Sequence, residues 1–239
     1  AMAWRREDTS PTLAEFISLA KSAAVQAVEI RNDIAGREFA DGTPARELKA
    51  RLDDAGLKVA SVNALQRFND WTGDREAEAK SLIRYAAELG APGLVLCPAH
   101  EPRDGWDEKT KDVKLREGLH KLKPIFEDEG IMGYVEPLGM FHSTMKNQSR
   151  AVAAIDDIGG SANFALCYDT FQYFRCADDT LFLDRVGLIH VSGITRADLL
   201  PGELTEPDRG LVTAGDRVGN IEKLQLAFAA GFSGFVSAE

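Results

Sequence analysis

Four residues with metal-binding side chains each stand at or near the carboxyl end of a separate short apolar run. Strands buried on both faces read as continuous apolar runs, and a closed ring of parallel strands brings its carboxyl ends to one mouth, where catalytic residues collect. Three carboxylates and one imidazole at such a mouth form a ligand set for a divalent cation. The sequence therefore predicts a metal site made of Glu136, Asp169, His190 and Glu239.

This set of ligands does not specify a single cation. Carboxylate-rich sites with one imidazole suit Mn²⁺, Mg²⁺, Co²⁺ and Zn²⁺, and we favour one Mn²⁺ ion. Each residue also has a simpler interpretation, because a polar side chain at a strand end is often satisfied by solvent or by a helix N-terminus. The occurrence of four of them at corresponding strand ends favours the metal site.

Strand-like and helix-like segments alternate along the chain. Apolar runs predict strands at residues 25–31, 58–63, 93–98, 131–136, 164–169, 187–191 and 234–238. Apolar residues at helical spacing predict helices at residues 11–24, 44–55, 74–89, 107–129, 148–158 and 221–230, with a shorter link around residues 178–185. This alternation predicts right-handed βαβ units that close into a (β/α)8 TIM barrel.

The two ends of the barrel need separate consideration. Its first strand has to come from residues 1–4, and a covering helix is expected after the strand at 234–238, so we expect an incomplete first strand and last helix. A length of 239 residues is close to the roughly 250 of a single α/β barrel, which predicts one domain over residues 1–239. A doubly wound sheet is the alternative, but the chain contains no GxGxxG or GxxxxGK[ST] phosphate loop.

The composition limits the classes of partner. A net charge of -10, from 38 acidic and 28 basic residues, disfavours binding to a nucleic acid. No run approaches the roughly 18 apolar residues of a membrane span, so we expect no membrane association. The cysteines form no CxxC pair and two lie in apolar runs, which is typical of a reduced, cytoplasmic protein. They are Cys97, Cys167 and Cys176.

Six motifs occur in a recognisable order along nearly the whole chain. They are VEIRND from Val28, SVNAL from Ser61, YVEPLG from Tyr134, CYDTFQYF from Cys167, IHVSG from Ile189 and EPDRG from Glu206. In order and spacing they resemble the xylose isomerase-like barrel superfamily, and within it the sugar phosphate isomerase/epimerase group with its inosose (2-keto-myo-inositol) isomerases. The resemblance implies a metal ion held by the four residues named above, with Glu136 and Glu239 also transferring protons.

The implied chemistry explains why two glutamates are needed. Moving a carbonyl along a polyol, or inverting the carbon beside it, removes an α-proton and leaves an enediolate whose negative charge a divalent cation stabilises. Two carboxyl groups then serve as base and acid, and neither Glu136 nor Glu239 is singled out as the base. The resemblance implies an isomerase or epimerase of carbohydrate metabolism, of the kind found in inositol catabolism.

Four further residues are candidates for binding the substrate. Asn63 ends a strand at the predicted mouth, and His100 follows the next strand. Arg209 lies in the EPDRG motif, although an arginine in a polar loop is more often solvated. Gln172 stands where many relatives have a histidine, and an amide binds a hydroxyl but takes up no proton. The chain also departs from its relatives at residues 213–217, where they have a Pro-Gly-x-Gly turn.

Three other functions remain open at this point. A dehydratase would expel a β-hydroxyl from the same enediolate, and a sugar-binding barrel without activity would explain Gln172. The superfamily also contains DNA-repair endonucleases with three zinc ions, but this chain has 4 histidines in total, only one in a matching position. No heptad or large apolar stripe specifies an assembly, and a homodimer is the oligomeric state that we expect.

Overall fold

Eight parallel strands close into a barrel in the computed structural model, which describes residues 2–3, 12–32, 43–177, 180–194 and 196–239. The barrel strands are β1 (Met2–Ala3), β2 (Ala27–Arg31), β3 (Lys58–Leu65), β4 (Gly93–Leu96), β5 (Met132–Val135), β6 (Phe164–Asp169), β7 (Val186–Val191) and β10 (Phe235–Ala238). Two short strands, β8 (Gly193–Ile194) and β9 (Arg209–Gly210), form a separate antiparallel pair. The predicted (β/α)8 barrel is confirmed.

Helices connect the barrel strands close to the predicted positions. They are α1 (Leu13–Ser22), α2 (Ala45–Asp54), α3 (Arg75–Leu89), α4 (Glu108–Glu129), α5 (Gln148–Asp157), α6 (Thr170–Cys176) and α7 (Asn220–Ala229). Thr12 and Glu15 form a capping box that starts α1. Gly90 and Gly130 end α3 and α4 with φ of 80° and 69°, a conformation that favours glycine.

The sixth helix differs from the prediction. Of the link expected around residues 178–185, the structure describes 180–185, where a short 3₁₀ turn lies at Leu183–Arg185, whereas α6 begins directly after β6. Asp169, the last residue of β6, is also the N-cap of this helix. A helix of seven residues has too few turns for a periodic apolar pattern, so the sequence alone does not predict α6.

The N-terminal residues supply the strand that closes the ring. Met2 pairs with Val28 of β2 and with Ala238 of β10, so β1 lies between these strands. Trp4, which the prediction included in this strand, falls outside the described residues, as does Asp33 of the VEIRND motif. An incomplete last helix and a single domain over residues 1–239 stay predictions. Among the helices of the described ranges, none combines the length and apolarity needed to cross a membrane.

The largest apolar cluster combines strand residues with buried apolar residues of α1 to α5. The ring interior contains a smaller apolar cluster, which includes Tyr134, Cys167 and Leu188, and a group of buried polar residues. Glu29 of β2 touches His190 of β7, and because β1 and β10 lie between these strands, both side chains must point into the ring. Buried polar residues thus collect where a barrel binds its ligands.

A network of hydrogen bonds ties together three loops at the mouth. Asn69, after β3, accepts from the backbone N–H of Ala99, after β4, at 2.8 Å. Its amide nitrogen donates to Thr144 Oγ1, after β5, at 2.9 Å, and this hydroxyl donates to the Ala99 carbonyl at 2.7 Å. All three residues are buried, so the network fixes the loops beside the strand ends that carry the candidate site.

Candidate metal centre

The four predicted ligands meet inside the mouth of the barrel. Each offers one nitrogen or oxygen, and these atoms all lie within 4.8 Å of one another. Asp169 and His190 are register partners on β6 and β7, which places their side chains at one level of the ring. Glu136 follows β5, and Glu239 follows β10, where its N–H donates to the Val191 carbonyl at 3.1 Å. The strand register therefore brings together the residues that the sequence singled out.

The two nitrogens of His190 face different surroundings. Nε2 lies 3.0 Å from Glu29 Oε1, and the contact is fully buried. Nδ1 points the other way, 3.1 Å from Glu239 Oε2 and 3.5 Å from Glu136 Oε1. Within the described part of the chain Nδ1 has no well-aligned hydrogen bond. The ring is thus held on one side and presents its other nitrogen to two carboxylates.

Asp169 joins the cluster to the start of α6. Its Oδ1 accepts the backbone N–H groups of Phe171 at 2.8 Å and Gln172 at 3.0 Å. Its Oδ2 accepts from Arg209 Nη2 at 2.7 Å, and the guanidinium lies 4.5 Å over the Phe171 ring. These contacts hold the carboxylate rigidly, and a carboxylate oxygen has a second lone pair for a further ligand.

Glu136 has little positive charge around it apart from His190. Its Oε2 lies 3.4 Å from Cys97 Sγ, whose S–H is a weak donor. Burial, the largest cause, raises the pKa of Glu136 to about 7, against the lowering effect of the imidazole. Burial thus makes the Glu136 carboxyl group able to hold a proton near neutral pH.

Glu239 lies in the opposite electrostatic environment. Its Oε1 is 2.5 Å from Arg31 Nη1, and its Oε2 is 3.9 Å from Arg209 Nη2. Burial works to raise the pKa of Glu239, but His190 and the two arginines outweigh this effect and hold the pKa well below its ordinary value. The surroundings therefore raise the pKa of Glu136, which favours its protonated form, and lower the pKa of Glu239, which favours its ionised form.

The residues present fit a divalent cation. The imidazole nitrogen that lacks an aligned partner points at the carboxylates, and one nitrogen with several carboxylate oxygens is a donor set used for Mn²⁺ and Zn²⁺. A thiol is also close, since Cys167 lies in a second group of potential ligands with Glu136 and His190. Such a buried arrangement of acids around one histidine can hold a metal ion and place two carboxyl groups beside a bound molecule.

The sequence profile of one protein family matches most of this chain. That family is the xylose isomerase-like TIM barrel, and the match covers residues 17–239. The protein belongs to this family. The resemblance expected from the six motifs is thereby confirmed at the level of the family.

Three solved structures share the fold. A xylose isomerase domain-containing protein from Salmonella typhimurium LT2 is 25% identical, with 96% of this chain and 84% of that chain covered and a TM-score of 0.83. The IolI protein with a bound zinc atom is 19% identical, with coverages of 96% and 84% and a TM-score of 0.84. A D-psicose 3-epimerase from Clostridium cellulolyticum H10, solved with D-tagatose, is 17% identical, with coverages of 100% and 81% and a TM-score of 0.73.

In the described part of this xylose isomerase-like barrel, two candidate substrate-binding residues, Asn63 and His100, are not bonded to other parts of the site through Asn63 Nδ2 or His100 Nδ1. Asn63 is buried near the carboxyl end of β3, in register with Arg31, and its amide nitrogen has no hydrogen-bond partner in the described ranges. His100 is half-buried, and its Nδ1 lies 3.0 Å from the Pro98 carbonyl. Asn63 is thus in the ring interior, whereas the recorded hydrogen bond of His100 is within its own loop.

The other two candidates are engaged by the protein. Gln172 Oε1 accepts from the Gly139 N–H at 3.0 Å, and its Nε2 donates to Glu206 Oε1 at 2.9 Å. Arg209 donates to Glu206 Oε2 and Ser192 Oγ, both at 2.6 Å, besides its bond to Asp169. The barrel therefore brings Arg209 to the cluster of potential metal ligands, while Gln172 bridges two loops.

Sequence reasoning missed two charged residues of the interior. Glu29 contacts His190, and Arg31 contacts Glu239. Both residues lie in the VEIRND motif, which contributes to the family resemblance but was not assigned a role in the site. Residues two apart on a strand point to the same face, and the charged pair alternates with the apolar Val28 and Ile30. This alternation was the available signal that β2 sends two charges into the ring.

Proposed function

We propose that the protein is a divalent-metal-dependent isomerase or epimerase acting on a keto-polyol or ketose of the inosose type. The observation that carries the proposal is the approach of Glu136 and Glu239 to one buried nitrogen, His190 Nδ1, at 3.5 Å and 3.1 Å. Proton transfer beside a carbonyl needs two such groups, one to accept the proton and one to return it. Membership of the xylose isomerase-like family and the fold shared with a D-psicose 3-epimerase support this chemistry.

Glu136, Asp169, His190 and Glu239 would hold the cation. When bound, it would supply Lewis-acid stabilisation of the negative charge that develops on the substrate carbonyl oxygen. Mn²⁺ is the ion that we favour, and the zinc atom of the IolI protein makes Zn²⁺ the first alternative.

The two glutamates come from separated positions around the ring. Glu136 follows β5 and Glu239 follows β10, with β6 and β7 between these strands. A substrate held between them therefore meets one carboxyl group on each side. One group removes the α-proton and the other delivers a proton to the opposite face of the same carbon, which gives epimerisation. For isomerisation the proton is delivered to the former carbonyl carbon, and the proton of the α-hydroxyl passes to the former carbonyl oxygen. Both glutamates are buried or nearly so, which keeps bulk water away from the proton transfer itself. Between turnovers the group that delivers the proton exchanges with solvent, so that a product formed in D₂O acquires deuterium.

The remaining candidates would orient the substrate oxygens. Asn63 offers an amide nitrogen inside the ring, and Arg209 adds positive charge beside Asp169. His100, in the loop after β4, would contact the substrate from the rim. Gln172 is included among the substrate-binding residues, although both ends of its amide are used by Gly139 and Glu206. Its contact with a hydroxyl would require one of these bonds to be exchanged.

The test is a product analysis in D₂O. The protein with Mn²⁺, and in parallel with Zn²⁺, is incubated with a panel of keto-inositols and ketoses, and NMR identifies the products and the labelled carbon. Deuterium at an α-carbon of an isomer or epimer is the expected result. The variant carrying Glu136→Gln and Glu239→Gln together is the control and should give no label.

Other outcomes separate the alternatives. A dehydrated product would assign the lyase reaction to the same residues. Binding of a panel member by calorimetry without any chemical change would favour a sugar-binding barrel. Label that persists in the double glutamine variant would remove both glutamates from the proposed proton transfer.

A further inference from the structure

The contact between Glu29 and His190 joins a strand outside the predicted ligand set to the centre of the site. Glu29 lies on β2, its side chain is fully buried, and its Oε1 is 3.0 Å from His190 Nε2. The two residues are 161 positions apart in the chain. This contact spans the ring interior and leaves Nδ1 as the nitrogen that faces Glu136 and Glu239.

The two nitrogens of a neutral imidazole have different capacities. One carries a hydrogen and donates, and the other carries a lone pair and can bind a metal. If Nε2 donates its hydrogen to Glu29, the lone pair is on Nδ1 and points into the cluster. If Nδ1 carried the hydrogen instead, the ring would present a donor where the cation needs an acceptor. An acceptor at Nε2 therefore selects the tautomer that binds a metal.

We propose that Glu29 is a positioning residue that fixes the tautomer and the orientation of His190, so that a cation binds through Nδ1. The inference rests on the proposed function, because it takes His190 as a ligand. Glu29 is not a member of either group of potential metal ligands, so it would act on a bound cation without being a ligand itself. Its effect on the cation passes through the imidazole ring.

The cost of burying Glu29 supports a specific role. Its second oxygen, Oε2, has no hydrogen-bond partner in the described part of the chain, and a buried polar atom in that state costs free energy. The backbone pairing of β2 with β3 does not depend on the Glu29 side chain. A smaller apolar residue at this position would avoid the penalty, but it would give Nε2 no acceptor.

The test compares two substitutions of Glu29 with a matched control. Glu29→Leu removes the acceptor, whereas Glu29→Gln keeps a carbonyl oxygen but no charge. Ser61→Ala is the control, because Ser61 is buried in register with Glu29 on β3 and its hydroxyl has no partner among the described residues. Co²⁺ is titrated into each metal-free protein at one pH, and the visible absorption of the bound ion gives the dissociation constant.

Loss of an outer hydrogen bond to a ligating histidine typically weakens metal binding about 10-fold to 100-fold. We expect Co²⁺ affinity to fall by this factor in Glu29→Leu and by less in Glu29→Gln. In Ser61→Ala, which leaves the hydrogen bond to His190 in place, the affinity should change less than about twofold. In the Zn²⁺-loaded protein labelled with ¹⁵N-histidine, the Nε2–H resonance of His190 should shift and exchange faster with solvent in Glu29→Leu than in Ser61→Ala. A general packing defect would not select this resonance.

His190→Ala separates the failure of this inference from failure of the site. If His190→Ala loses Co²⁺ while both Glu29 variants bind like Ser61→Ala, the positioning role is wrong and the metal site stands. If His190→Ala binds Co²⁺ as the wild type does, the metal site and the inference fall together. Should Glu29→Leu not fold by circular dichroism, Glu29→Gln carries the test, and an unchanged affinity with an unchanged Nε2–H resonance would overturn the proposal.

Discussion

Arg31 and Glu239 form an ion pair across the seam where the barrel closes. Arg31 Nη1 lies 2.5 Å from Glu239 Oε1. Arg31 is the last residue of β2, and Glu239 directly follows β10. In the described part of the chain, β1 (Met2–Ala3) lies between these strands. The pair therefore joins the two strands that flank the closing strand of the ring, and it also holds one of the four candidate ligands.

Arg31→Met should destabilise the metal-free protein by roughly 1 to 3 kcal/mol, because it leaves the largely buried Glu239 without its nearest cation. Urea unfolding at neutral pH measures the change. Arg84→Met is the control, since the Arg84 side chain is 68% exposed in its pair with Glu129 and such a pair contributes at most about 1 kcal/mol. Equal losses of unfolding free energy in Arg31→Met and Arg84→Met would show that the pair of Arg31 and Glu239 stabilises the fold no more than an exposed surface pair.

Asp169→Ala should lose the metal, whereas Asp169→Asn, which keeps one oxygen for the cation, should retain some of it and be the more stable of the two. Asparagine keeps an oxygen that can cap α6, whereas alanine removes it, which costs about 0.5 to 2 kcal/mol more. Elemental analysis gives the metal content, and thermal unfolding gives the stability. Asn147→Ala, which removes the N-cap of α5, should lower stability without loss of metal. Unchanged metal content in Asp169→Ala and His190→Ala alike would place the cation elsewhere.

Glu136→Gln and Glu239→Gln should retain the fold and some metal while turnover falls about 10²-fold to 10⁴-fold. Each amide keeps one oxygen for the cation but accepts no proton. Initial rates on the substrate found by NMR measure the effect, with Glu117→Gln on the exposed side of α4 as the control. Near wild-type turnover in one of the two variants would remove that glutamate from the proton transfer.

Asp104 and Arg67 should make stability depend on pH below the neutral range. Burial acts to raise the pKa of Asp104, but hydrogen bonds from Arg67 and from the Glu101 N–H outweigh it and lower the pKa below its ordinary value. The stabilisation is therefore present above the unfolded pKa of about 3.9 and is lost as pH falls through the folded pKa.

Asp104→Asn should accordingly be about 2 kcal/mol less stable than the wild type at pH 7, and the difference should shrink as the pH drops below about 4. Urea unfolding of both proteins from pH 7 to pH 3 gives this difference directly. A gap that stays constant over the whole range would mean that the carboxylate charge of Asp104 does not stabilise the fold.

Gln172→Ala should lower stability by roughly 1 to 3 kcal/mol, because it removes the buried bonds to Gly139 and Glu206. A substrate contact would also lower kcat/KM, and Gln172→His would shift the preference among ketoses. Kinetics on several ketoses, together with unfolding curves, separate the two roles. A stability loss with unchanged kcat/KM for every substrate would assign Gln172 to loop bridging alone.

The sequence by itself determined the strands, most of the helices and the four clustered residues. Strands covered on both faces are apolar along their length, so β6 and β7 were recognisable without a structure, and Asp169 and His190 marked their carboxyl ends. Alternating strands and helices admit few topologies, and this constraint predicted the barrel before any contact was known. Cellular location and oligomeric state stay predictions.

Only the tertiary structure decided how these residues are held. Glu29 meets His190, Arg31 meets Glu239, and Arg209 reaches Asp169 from the β9 strand, all across long stretches of sequence. Such contacts depend on strand register and on ring closure, which turn side chains of non-neighbouring strands toward one another. Local patterns record which face of a strand is polar, but the partner across the ring is set by the closed geometry of the whole barrel.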